Sequence, residues 1–124
     1  MKILAALALC LCITTAQADL FRDAALAFLS QDYATASRLL PPLAEQGNAN
    51  ALSNLGVMYS QGVAVPQDYV EAHKWANLAA SRQTEEERRN QAIINRDFVA
   101  NKMTPGQIAE AQKLAKQWDK AHPR

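Results

Sequence analysis

Residues 51–80 read ALSNLGVMYSQGVAVPQDYVEAHKWANLAA. Apolar residues recur at helical spacing on both sides of a short stretch, GVAVPQD, that holds the turn formers. The segment therefore reads as two amphipathic helices joined by a loop. Small residues (Ala51, Gly56, Ala72, Ala79, Ala80) alternate with large ones (Leu52, Leu55, Tyr59, Tyr69, Trp75). Two helices with that composition pack closely, the large side chains filling gaps left by the small ones. On this reading Gly56 is a point of close approach and Trp75 a buried anchor between the two helices. A pair of this size cannot bury its apolar surface alone, so it implies stacked neighbours.

The neighbours are legible on both sides. Strand-like alternation is absent, and good helix formers dominate. A first helix is expected over residues 20–30. Asp32 is a suitable N-cap for a second, which runs to about Gln46 and stops at Gly47. Pro41 and Pro42 lie inside it and predict a kink or short break near residues 38–40. The third helix covers about 49–60 and ends near Gly62. The fourth opens at Asp68, paired with Glu71 as a capping box, and runs to about Arg82. Thr84 and Glu87 repeat that signature for a fifth helix reaching about Lys102. Thr104, Pro105 and Gln107 give N-cap, first helical position and box partner for a sixth, ending near Ala121. Six helices with short connections predict an all-α domain of three stacked antiparallel hairpins: one with two, three with four, five with six. Aromatic side chains are spread over all three, which suits a short α-solenoid better than one central core.

Residues 1–18 stand apart. Lys2 is followed by an apolar run from Ile3 to Ile13 and by Ala16-Gln17-Ala18, a small-x-small cleavage pattern. This is the form of a cleaved secretory signal peptide, and the run is too short to span a bilayer. Export to a periplasmic or secreted location follows. Both cysteines, Cys10 and Cys12, lie in the segment to be removed, each preceded by leucine rather than by the small residue a lipid anchor needs. The expected mature chain keeps 106 of the 124 residues, 19–124, as one domain without disulfides. The whole chain has 13 basic and 12 acidic side chains, and loss of Lys2 leaves twelve of each. That balance lacks the positive excess of a nucleic-acid binder.

The hairpin resembles the Sel-one-like repeat, a relative of the tetratricopeptide repeat. The matching residues are Ala51, Leu55-Gly56, Tyr59, Gly62, Val65, Asp68, Ala72, Trp75 and Ala79-Ala80. One complete repeat covers about 48–83. Residues 32–47 look like the second helix of an incomplete preceding unit, and residues 103–118 like a degenerate last one. Three positions depart from the pattern: Ala64 stands where the family's loop usually has glycine, Ala76 where an aromatic often follows the tryptophan, and Gln83 where a glycine usually ends the second helix. Alanine at position 64 costs about 1 kcal/mol if its φ is positive.

The resemblance implies a non-catalytic scaffold that holds a partner protein or peptide on a concave face lined by the first helix of each pair. On the third helix that face carries Asn50, Ser53, Asn54, Val57 and Gln61, short side chains able to pair with a peptide backbone. A plain solvated face is the alternative. Some exported, cysteine-rich relatives are linked to cell-wall or β-lactam chemistry, so an enzyme, or a regulator of a periplasmic enzyme, is the rival reading. The residues do not favour catalysis. Nucleophilic chemistry needs a base beside the nucleophile, and the two histidines read as a rim residue (His73) and part of a frayed tail (His122). No cofactor is expected, and no pair of histidines has metal-ligand spacing. Glu85-Glu86-Glu87 followed by Arg88-Arg89 reads as a dipole-matched helix start with a Glu85–Arg89 pair rather than a binding patch. Whether Arg96 and Asp97 pair internally against the sixth helix stays open. The sequence names neither the partner nor the oligomeric state.

Overall fold

A computed structural model describes the backbone from Lys2 to Arg124 and side chains from Thr15 onward. The described residues form six α-helices and no strands: α1 (Lys2–Leu29), α2 (Tyr33–Glu45), α3 (Ala49–Gln61), α4 (Tyr69–Arg82), α5 (Glu86–Ala100) and α6 (Pro105–Ala121). The all-α expectation holds. Met1 and the side chains of the apolar run with Cys10 and Cys12 lie outside what is described.

The helix boundaries follow local chemistry. Asp32, Asn48, Asp68 and Thr104 each accept a hydrogen bond from the backbone N–H three residues on, satisfying donors that a helix start leaves orphaned. Thr104 and Gln107 make the complete reciprocal box ahead of α6, with Pro105 at the first turn. Gly62 closes α3 in the left-handed region at φ 67°.

Four local expectations are corrected. First, α1 begins well before residue 20, because nothing in Ala16-Gln17-Ala18-Asp19 breaks a helix. Second, α2 is unbroken through Pro41 and Pro42; Leu40 on one side and Leu43 and Ala44 on the other are buried in one core and hold both halves in register. Third, the Asp68 box is only half made. Asp68 N–H already donates to the Tyr59 carbonyl at 3.0 Å, so the Glu71 carboxylate turns to Lys74 at 2.8 Å and Trp75 Nε1 at 2.9 Å. Fourth, Glu85 rather than Thr84 stands at the N-cap of α5, without a side-chain cap bond, and pairs with Arg88 at 3.2 Å rather than with Arg89.

Helix α4 is the hub. Its buried residues Ala72, Trp75, Ala76, Leu78, Ala79 and Ala80 meet α3, α5 and α6. Helices α1 and α2 pack on each other and α2 packs on α3, extending the same core through Ala24, Ala27, Leu40 and Leu43. The last pair departs from a simple hairpin, since α5 and α6 each find their main packing on α4. Gly56 explains the close α3–α4 contact. A Cβ there would sit 3.2 Å from Ala76 N and 3.3 Å from Ala72 O, so the two backbones approach as they do because position 56 has no side chain.

The C-terminal end is not frayed. Trp118 of α6 meets Trp75 edge-on with ring centroids 6.0 Å apart, and His122 stacks on Trp118 at 3.9 Å. Arg82 lies over the Trp118 ring and pairs with Asp119 at 2.8 Å. His122 Nε2 faces the Glu45 carboxylate at 2.9 Å and its Nδ1 faces the Trp118 carbonyl at 2.7 Å. The tail thereby ties α6 to α2 and α4.

Candidate binding face

Helices α1, α3 and α5 lie side by side, with α3 in the middle. The residues that separate them decide what this face presents. On the α5 side of α3 a cleft of about 390 Å³ opens over Gly56, Ala72 and Ala76. The missing Cβ of Gly56 and the two alanines make room there. Ser53, Val57 and Gln61 form its α3 wall, and Asn95 and Phe98 of α5, with Lys102 from the turn that follows, the opposite one. On the α1 side a second cleft of about 410 Å³ lies between Asn50 and Asn54 and the α1 residues Phe21, Phe28 and Leu29, with Arg88 at its edge.

The five residues expected on this face are therefore not one flat stripe. Ser53, Val57 and Gln61 line one cleft, while Asn50 and Asn54 line the other. None of the five belongs to the buried core. Asn50 is partly engaged, its side-chain oxygen accepting from Gln83 Nε2 at 2.9 Å.

Sequence reading missed the walls. Leu29 is 77% exposed and Phe98 58% exposed, one on each flank of α3. Large apolar groups that remain in water beside a concavity mark a contact surface more than scattered apolar residues do. Lys102 stands in the turn just past the end of α5 and reaches back over Phe98 of its last turn. Lys102 Nζ lies 4.5 Å from the Phe98 ring centroid and 5.9 Å from that of Tyr69. Both distances are within cation–π reach.

The titratable groups lie elsewhere. His73 is buried, not at the rim as expected, and its Nδ1 has no hydrogen-bond partner. Burial first, then the Arg96 charge, pushes its imidazole below the ordinary range, with Asp97 opposing. Arg96 pairs with its neighbour Asp97 at 3.0 Å and reaches Asn77 of α4, not α6. Neither histidine lines either cleft. Among the described residues no three His, Cys, Asp or Glu side chains gather in a metal-holding group. No helix among them is long and apolar enough to cross a membrane.

Comparison of the chain with protein-family models, with curated proteins and with solved structures finds no match.

Proposed function

We propose that this chain is an exported, non-catalytic binding module built on Sel-one-like, tetratricopeptide-related helix pairs, and that it holds a partner protein or peptide on the face formed by α1, α3 and α5. The observation that carries the reading is the pair of clefts flanking α3, each with an exposed apolar group (Leu29 or Phe98) beside short amide and hydroxyl side chains. Apolar anchors give a contact its energy, and uncharged donors and acceptors adapt to a peptide backbone. A site used in this way needs little rearrangement on binding.

Export rests on residues 1–18. Thr15 to Ala18 are all exposed on α1, so among the described residues cleavage after Ala18 removes no core side chain. The shortened helix would then start with Asp19 and Asp23 in or near its first turn, where carboxylates are favourable. Intact mass of the exported form should place Asp19 first; retention of Met1 there would refute export by this signal.

Asn54→Arg tests the binding face. The side chain lines the α1-side cleft without supporting the core, so stability should change by less than about 0.5 kcal/mol. Partner capture should weaken, because a bulky second cation enters a cleft that already holds Arg88. Undiminished capture by a folded variant would move the site off this face.

A further inference from the structure

The cleft between α3, α4 and α5 has one charged group in its lining, the Lys102 ammonium. Among the described residues no carboxylate pairs with it; its contacts are the Phe98 and Tyr69 rings. The geometry points to a specific ligand chemistry: this cleft takes an extended peptide segment that carries an acidic side chain two positions from a bulky apolar one. This assignment rests on the binding reading above and narrows it. The spacing follows from the site. A carboxylate paired with Lys102 lies about 3 Å from Nζ, and Nζ is 4.5 Å from the Phe98 ring. The ligand's acidic and apolar groups must therefore stand on one side of the segment, within several ångströms of each other. In an extended chain adjacent side chains point to opposite faces, while residues two apart share a face at about 7 Å.

The polar lining suits the backbone of such a segment. Ser53 and Gln61 side chains make no hydrogen bond among the described residues. Asn95 uses its oxygen to accept from Gln91 at 3.0 Å, which leaves its amide donors for a ligand. These groups stand on both walls, so the segment continues past its anchor on either side. Lys102 supplies the charge preference that the amide stripe of α3 lacks.

The test is a titration of isotope-labelled protein with two terminally blocked six-residue peptides. One carries glutamate and leucine two positions apart; the other has glutamine in place of the glutamate. Amide shifts should map to Ser53, Val57, Gln61 and Asn95, and the glutamate peptide should bind about fivefold more tightly, the upper end for an ion pair at a solvent edge. Lys102→Gln, an exposed change, should leave the fold intact and abolish the difference. Equal binding of both peptides in this cleft overturns the acidic assignment while leaving the binding face in place. Shifts on another face, or none at millimolar peptide, overturn both. A glutamine peptide with a free C-terminus that binds as well as the blocked glutamate peptide overturns the side-chain source of the carboxylate.

Discussion

Gly56→Ala isolates the α3–α4 contact on which the α5-side cleft is built. On helix propensity alone the change should stabilise the protein by about 0.8–1.0 kcal/mol. The structure opposes it. The added methyl would meet Ala76 N at 3.2 Å, Ala72 O at 3.3 Å and Trp75 Cβ at 3.5 Å. The first two are backbone atoms of α4, so relief requires the helix to move, not a side chain to rotate. Overpacking of this kind costs about 1–3 kcal/mol, which leaves a net loss of roughly 0–2 kcal/mol, centred near 1. Gly106→Ala is the control. It lies in the first turn of α6, where the nearest outside atom is Thr104 Oγ1 at 3.9 Å, so the propensity gain is unopposed. In thermal melts the two variants should move in opposite directions, with Gly56→Ala lower by about 4–8 °C for each kcal/mol lost. Gly56→Leu should be worse still. A Gly56→Ala protein stabilised as much as Gly106→Ala would refute the close approach and, with it, the account of how the cleft forms.

Three further outcomes follow from the same packing. Trp75→Ala removes a buried ring that meets Trp118 across α4 and α6 and should cost about 3–5 kcal/mol, enough to unfold a small domain near ambient temperature; an unchanged melting midpoint would contradict its burial. Ala64 has φ 58°, a left-handed conformation that costs an alanine about 1–2 kcal/mol; after the unfolded-state entropy of glycine is subtracted, Ala64→Gly should stabilise by about 0.5–1 kcal/mol, and a loss of stability would refute the strain. His73 titrates below the ordinary range in the folded chain, so the unfolded chain binds the proton more readily. Its stability contribution is present above pH ~6.5 and declines as pH falls from there toward the depressed folded value, with a slope of at most about 1.4 kcal/mol per pH unit. Denaturant titrations should show this extra acid loss in wild type and not in His73→Leu; parallel curves would contradict it.

What the sequence revealed and what it concealed divide along physical lines. Caps at Asp32, Asp68 and Thr104, the stop at Gly62 and the close approach at Gly56 depend on residues within a few positions or on side-chain size alone, and each was readable. The continuity of α2 through its proline pair was not, because it depends on Leu40 and Leu43 reaching a core shared with other helices. The two histidines were misplaced for the same reason. His73 is buried by α5 packing on α4. His122 is held by Trp118, four residues away, and by Glu45, 77 residues away. On the proposed binding face, Asn50, Ser53, Asn54, Val57 and Gln61 were identified by their α3 periodicity. Their division between two clefts, and the walls from Leu29, Phe98 and Lys102, depend on where α1 and α5 come to rest.

The central claim is that the α1–α3–α5 face is where a partner docks. A photoreactive residue placed at Val57, inside the α5-side cleft, and separately at Lys113, exposed on α6, tests it most directly. Both proteins are irradiated in extract of the compartment to which export is proposed, and adducts are compared by mass. The account predicts a discrete adduct from position 57 that is absent from position 113. It also predicts that Asn54→Arg diminishes the adduct. An adduct formed from position 113 and not from position 57 would contradict it and place the binding surface on α6.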